Sequence, residues 1–399
     1  MNKYLNKLLL AFLLLIPMIL LTSCGEKVPN TPSYKTSKSL PKYDQDSFDD
    51  YLIETKQWIK NNRYFLSDDK QNELKANMPF ELKPTRDTKL KNSNKAILLV
   101  QGLSDSPGYF KDISKIFANE GFLVRTILLP GHGTKAADLI LASKEDWVKK
   151  VAHHINLLKK QNKEVWLGGF STGANLVTSY ALKDKSIKGL YLFSPAFYAR
   201  SSLISFVPVV SYFKTWLDID EENDIYKYQS MPTHGINLYY KTSVQVQEDF
   251  ENTNFDRPAF FVLSKDDSVV NYQKTIDIFK NKFTNKNSKF ILYANEKQLD
   301  KTIINDKIIK VYNSNRPDLQ ISNFSHMSIL FSKTNPYYGK DGSYLMLNNG
   351  QEDKVFTNKA NTWYSSWGTN KDGIYHARLT WNPYFKELSE EIKQFGSNE

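Results

Sequence analysis

Residues 164–183 read EVWLGGFSTGANLVTSYALK, and this stretch decides the fold. Its first part, EVWLGGF, is apolar almost throughout and rich in residues that suit a strand buried on both faces. It runs into Gly169-Phe170-Ser171-Thr172-Gly173, a G-x-S-x-G pattern, and then into ANLVTSYALK, a helix-forming run. The five-residue pattern alone is common. A strand before it and a helix after it are the context that gives it meaning, because there the serine is raised on a tight strand-to-helix turn. Side chains at the flanking positions would collide with neighbouring backbone, and the serine itself must take up a strained conformation. The turn lifts the hydroxyl above the sheet and sets it at a helix N-terminus, where developing negative charge is favoured.

Outward from this corner the chain alternates strands and helices. KAILLVQG (95–102) predicts a strand, GYFKDISKIFANEG (108–121) a helix closed by Gly121, FLVRTILLPG (122–131) a strand, EDWVKKVAHHINLLKKQ (145–161) a helix and KGLYLFSP (188–195) a strand. Apolar strands alternating with helices imply a mostly parallel sheet covered on both faces, an α/β architecture. Ligands in such folds bind beyond the carboxyl ends of the strands. Upstream, FDDYLIETKQWIKNN (48–62) places Phe48, Leu52, Thr55 and Ile59 at helical spacing, within an N-terminal helical segment at 44–92. The main domain is expected over 93–399.

A serine hydroxyl needs a base to become a nucleophile. When the serine lies on such a turn, the acid and then the histidine follow it in the chain. PAFFVLSKDDSVV (258–270) reads as a strand followed by a turn with two aspartates. Asp267, three residues before Val270, fits the acid position, with Asp266 as its neighbouring alternative. Its role would be to hold the histidine tautomer and stabilise the imidazolium. The base is His326 in ISNFSHMSILF (321–331), the histidine that completes the Ser, Asp, His order. Among the others, His132 lies upstream of the serine in PGHGT, His153 and His154 lie on a surface-type helix, and His234 and His376 lie in later insertions. Two backbone N–H groups should hold an oxyanion: that of Thr172, which follows the serine, and that of Leu103 in the turn after the strand AILLV.

The runs QGLSDSPGYF, GFLVRTILLPGHGT, a helix containing Asp146-Trp147, and GGFSTGANL occur in this order. Together they resemble the monoacylglycerol lipase and bacterial carboxylesterase branch of the α/β-hydrolase superfamily, over roughly residues 94–330. Related serine aminopeptidases share much of the pattern. The resemblance implies carboxyl-ester hydrolysis through an acyl-enzyme on Ser171. Two departures stand out. The family usually carries His-Gly where this chain has Gln101-Gly102. After His326, about fifty residues (an extension near 332–383) precede the final helix PYFKELSEEIKQF, where one helix usually ends the chain. Within the extension YLMLNNGQEDKVF (344–356) predicts a hairpin around Asn349-Gly350, and Trp363, Tyr364, Trp367 and Trp381 are expected to pack it onto the core or else to help bind a ligand.

Residues about 198–255 form the expected cap insertion. SSLISFVPVVSYF (201–213) is strongly apolar and suits an acyl chain, or else packs the cap on the body. DIDEEND (218–224) is acidic, and the related aminopeptidases use cap carboxylates to hold a substrate ammonium. Three readings follow. One is an esterase acting on lipid-like or small acyl esters such as a monoacylglycerol or lysophospholipid. The second is an aminopeptidase-like enzyme. The third is an inactive hydrolase fold that binds lipid in the envelope. No cofactor and no metal is expected, because no ligand cluster has metal spacing. The net charge of +10 is scattered and resembles no nucleic-acid module.

The N-terminus carries a basic MNKYLNK, then LLLAFLLLIPMILL, then Thr22-Ser23-Cys24-Gly25. The apolar run of about 14 residues falls short of the roughly 20 needed to cross a bilayer, and it contains Pro17. This order reads as a signal peptide over 1–23. Leu21-Thr22-Ser23-Cys24 resembles a bacterial lipobox, which implies acylation of Cys24, the one cysteine in the chain. Gly25 in place of an Asp favours the outer membrane, facing the periplasm, in a Gram-negative host, and otherwise the outer face of the cell membrane. Residues 24–43, rich in Pro, Ser, Thr and Lys, read as a flexible tether.

Overall fold

Eight strands hydrogen-bond side by side in the order β1-β3-β2-β4-β5-β8-β9-β10 in a computed structural model. It describes residues 28–85, 94–162, 164–304, 306, 308–351 and 356–397. Cys24 and the signal segment 1–23 lie outside the described residues. The sheet strands are β1 (Glu81–Leu82), β2 (Lys95–Val100), β3 (Leu123–Ile127), β4 (Glu164–Phe170), β5 (Ile187–Phe193), β8 (Ala259–Ser264), β9 (Lys289–Tyr293) and β10 (Ile309–Tyr312). Two short strands of the cap, β6 (Trp216–Asp218) and β7 (Met231–Pro232), pair apart from the sheet, as do β11 (Trp363–Ser365) and β12 (His376–Arg378) in the extension. Every sheet pairing is parallel except that of β1 with β3. This is the mostly parallel α/β-hydrolase sheet that the strand–helix alternation predicts.

Helices α1 (Phe48–Asn62), α2 (Lys70–Asn77), α3 (Lys111–Asn119), α4 (Lys144–Gln161), α5 (Thr172–Lys183), α6 (Val207–Val210), α7 (Thr233–Asn252), α8 (Tyr272–Lys282), α9 (Lys301–Ile304) and α10 (Phe385–Ser397) complete the described secondary structure, apart from short 3-10 turns. Alternate residues of β2 enter opposite cores: Leu98 and Val100 join the one that includes α4 and α5, while Ile97 and Leu99 join the one that includes α3 and α10. That two-sided burial is why the strand sequences read as continuous apolar runs. Local chemistry sets the helix starts. Ser143 caps α4 in a reciprocal capping box with Asp146, and Ser47 and Asn271 cap α1 and α8.

Several expectations need correction. Residues 32–38, read as part of a flexible tether, are docked on the body. Ser37 donates from its N–H to Asp138 Oδ1 at 2.6 Å and from its hydroxyl to Oδ2 at 2.8 Å, and the Tyr34 ring meets Trp216 edge-on at 5.1 Å. A charge-assisted pair of hydrogen bonds to a buried carboxylate outweighs the composition of the segment. The N-terminal helical segment also supplies the edge strand β1. His154, placed on a surface-type helix, is buried against the Tyr51 ring at 4.3 Å, because α1 covers that face of α4.

The hairpin expected around Asn349-Gly350 does not form among the described residues of 344–356. The Asn349 amide instead donates to the Ser365 hydroxyl and the Ser366 carbonyl, and the extension's pairing is the parallel one between β11 and β12. Its aromatics divide: Trp381 and Tyr364 are buried and in contact, while Trp367 stays exposed. The extension is stapled to the body by Asp112, whose carboxylate accepts from the Ser332 N–H at 3.0 Å and the Asn335 amide at 2.8 Å.

Candidate active site

Ser171 stands between β4 and α5 with φ 53° and ψ −118°, a conformation costly for a residue with a side chain. The surroundings hold it there. Its N–H donates to the Phe193 carbonyl at 3.0 Å, and its carbonyl accepts from Ala174 at 3.0 Å and Ala196 at 3.3 Å. The two glycines of the motif are sterically required: a side chain on Gly173 would strike the Val100 carbonyl, and one on Gly169 would strike the backbone of Ala174. β4 and α5 can therefore join only through a corner this tight.

Asp267 lies in the turn after β8 and is fully buried. Its Oδ1 accepts from the Val269 and Val270 N–H groups at 2.8 and 2.9 Å, and its Oδ2 lies 2.6 Å from His326 Nδ1. The neighbouring Asp266 does not reach the histidine. It accepts from the Ser314 hydroxyl at 3.4 Å, and burial raises its pKa. With Nδ1 facing a carboxylate, the proton belongs there and Nε2 is left as an acceptor. The His326 ring packs on Phe170, the residue before Ser171, at 4.9 Å between centroids. Strand ends fix its loop: Ser194 after β5 donates to the His326 carbonyl at 3.2 Å, and Ser264 of β8 donates to the Phe324 carbonyl at 2.9 Å.

Leu103 and Thr172, the two expected backbone donors, line the same cavity as Ser171 and His326. The loop carrying Leu103 is held by a residue that the sequence reading set aside. Ser104, at φ 68°, donates its N–H to His132 Nε2 at 3.1 Å. An accepting imidazole must be neutral, and burial pulls the His132 pKa down to about 4. Gln101, at the position where the resembled family has histidine, is buried and turned towards β3. With its amide oriented by its partners, the nitrogen donates to the Ile127 carbonyl and the oxygen accepts from the Leu129 N–H at 3.0 Å. The Gln101 side chain thus ties β2 to β3.

The cavity measures about 1090 Å³. The cap segment 203–210 builds an apolar wall with Leu203, Ile204, Phe206, Val207, Val209 and Val210. Its polar lining includes Asp105, Lys227 and Arg378, none of which the sequence singled out. Burial raises Asp105 to about 6, against the opposing pull of Lys227 and His326. Three carboxylates of the cap's acidic run are occupied elsewhere. Glu222 accepts from the Gln229 and Ser230 N–H groups, Asp224 accepts from the Tyr338 hydroxyl, and Asp220 accepts from the Asn348 amide.

The sheet, the strained serine corner and the cap define an α/β-hydrolase. The family model of the serine aminopeptidases S33, Hydrolase_4, matches residues 91–296, just over half of the chain. The chain belongs to that family. A thermostable monoacylglycerol lipase of Bacillus sp. (strain H-257) is 28% identical over 99 residues, which are 25% of this chain and 40% of the lipase. The chain thus matches less than half of that relative's length. Among solved structures, one from a study of LipS and LipT, two metagenome-derived lipolytic enzymes, superposes with a TM-score of 0.47 at 18% identity, covering 54% of this chain and 87% of the other. A soluble variant of monoglyceride lipase from Saccharomyces cerevisiae, in complex with a substrate analogue, gives 0.44 at 13% identity over 54% and 81%.

Proposed function

We propose that the protein is a serine hydrolase that cleaves carboxylic esters with a lipid-like or small acyl group through an acyl-enzyme on Ser171. One observation carries this reading: the Asp267–His326 pair and the serine on the strained corner face one cavity whose cap side is apolar. In the proposed reaction His326 Nε2 takes the Ser171 proton as the oxygen attacks the ester carbonyl. The Leu103 and Thr172 N–H groups receive the oxyanion, and the imidazolium returns the proton to the departing alcohol. Water then enters by the same route in reverse and releases the acid.

The peptidase reading needs a carboxylate for a substrate ammonium. Asp220, Glu222 and Asp224 of the cap are engaged away from the cavity, and Asp105, the lining carboxylate among the described residues, shares it with two cations. That favours an ester. A fluorophosphonate probe followed by an ester panel tests the proposal. Expected are labelling lost in Ser171→Ala and kept in Ser179→Ala, and turnover of chromogenic acyl esters. Labelling retained in Ser171→Ala, or an unlabelled and ester-inert protein, sinks it and moves the chain to the lipid-binding reading.

We also infer that Cys24 is acylated and that the mature protein is held at the periplasmic or outer face of a bacterial membrane. The support is the sequence order around Cys24 alone. Metabolic labelling with an alkyne fatty acid should mark the wild-type chain and not Cys24→Ser, which should leave the membrane fraction. Equal labelling of both rejects it.

A further inference from the structure

Arg378 closes β12 in the extension, far beyond the family match that ends at residue 296, and yet it lines the cavity that holds Ser171. Its position is built rather than incidental. Nε donates to Asn349 Oδ1 at 2.7 Å and Nη2 to the Asn348 carbonyl at 2.9 Å, and the buried Asn349 amide is itself fixed on Ser365 and Ser366. Both acceptors are neutral. They orient the guanidinium, and among the described residues no hydrogen bond engages its other three N–H groups. Among the described residues no carboxylate forms an ion pair with Arg378 or with Lys227, the cap residue that shares its cavity. Asp220 acts on Arg378 at longer range while accepting from Asn348 at 2.9 Å, and Asp105 and Asp224 act on Lys227 in the same way. Burial draws the guanidinium down to about 10, against the weaker opposing pull of Tyr109, Tyr344 and Asp220.

We propose that Lys227 and Arg378 form an anion subsite, and that the ester cleaved at Ser171 carries a phosphate or carboxylate on its alcohol part. This rests on the hydrolase reading above and narrows its substrate class. The division of the cavity gives the direction. Leu203, Val207 and Val210 of the cap offer an acyl chain an apolar wall, and a charged group gains nothing there. The two cations offer an oxyacid what that wall cannot, with a planar fork suited to paired oxygens. Asp105 lies in the same cavity with the opposite sign and, with a pKa of about 6, is mostly ionised at neutral pH, so the lining is cationic because two cations face one carboxylate. A neutral monoacylglycerol would leave the two cations with Asp105 as the one carboxylate of the cavity lining among the described residues, whereas an anionic ester compensates the excess positive charge.

The test uses three lauroyl esters: 1-lauroylglycerol, 1-lauroylglycerol 3-phosphate and 3-O-lauroylglycerate. Their binding to full-length Ser171→Ala protein, which cannot turn them over, is measured by calorimetry. One of the two anionic esters should bind about tenfold more tightly than the neutral one, and the better of the two identifies the oxyacid. Arg378→Gln and Lys227→Gln, each added to Ser171→Ala, should each remove most of that lead, and Arg378→Lys should keep part of it. Equal affinities for all three esters, or a lead untouched by both glutamine variants, overturns the proposal. Lys227 lies in the cap and Arg378 in the extension, so misfolding of one variant leaves the other informative. Wild-type turnover separates the two levels. Brisk hydrolysis of 1-lauroylglycerol without anionic preference ends the subsite and spares the hydrolase. Anion-selective binding with no turnover of any ester does the reverse.

Discussion

Asp267 is restrained at both oxygens, by two backbone amides on one and the imidazole on the other. Asp267→Asn should therefore keep the fold while presenting the wrong partner to Nδ1. Steady-state kinetics on a soluble ester should show kcat lower by about 10³–10⁴, with KM little changed. Asp105 makes a different prediction. Its folded pKa of about 6 lies above the ordinary carboxylate value, so the folded state holds a proton that the unfolded chain has released between about pH 4 and 6. Ionisation costs stability above that window and nothing below it. Asp105→Asn should raise the melting temperature at pH 8, by an amount equivalent to at most about 3 kcal/mol, and leave it nearly unchanged at pH 4. A larger gain at pH 4 than at pH 8 would contradict the assignment. The two aspartates also differ in legibility. Asp267 could be found because its turn lies directly after a recognisable strand. Asp105, Lys227 and Arg378 could not, because nothing in their own neighbourhoods signals that three distant segments share one wall.

At the scale of elements, the strand–turn–helix corner is the part most legible in the sequence, since its five-residue pattern and the strand and helix on either side of it are contiguous in the chain. Gly173→Ala would drive a methyl group into the Val100 carbonyl that β2 presents to α5. Expected are a loss of stability of about 2–4 kcal/mol in urea titration and loss of probe labelling, with Ala174→Gly much milder. The cap was legible as an apolar insertion, but not how it divides its residues. Some face the cavity, while Tyr212 and Phe213 are 86% and 73% exposed beside Phe206 and Val209. If the substrate is drawn from a lipid surface, Tyr212→Ser with Phe213→Ser should slow hydrolysis of vesicle-borne ester several-fold and spare a short dissolved ester. Equal slowing of both would assign these side chains to the cap's own packing. The hairpin expected near Asn349 failed for a related reason. Turn chemistry proposes a local pairing, but the Asn349 side chain is committed to Ser365 and Arg378, and that longer-range frame prevails.

Across the whole molecule, the extension is a structural part of the domain. Tyr338, Met346, Leu379 and Trp381 are buried in the core that also holds Ile97 and Leu99 of β2. A chain cut after residue 331 should therefore be recovered insoluble, and Asp112→Ala, which orphans two donors of the extension, should lower the urea midpoint by an amount equivalent to about 1–3 kcal/mol. A soluble, active truncation would show the extension to be dispensable. The alternation of strands and helices disclosed the sheet, but no periodicity could announce that a late segment returns to floor the cavity.

The clasp of Ser37 on Asp138 has a mechanical consequence. With the chain already seated at Pro32, eight residues remain back to Cys24, and fully stretched they reach no farther than about 28 Å. An enzyme fastened there by acyl chains would ride on a leash shorter than a bilayer is thick. It would graze the leaflet that holds it and be unable to wander to a facing membrane.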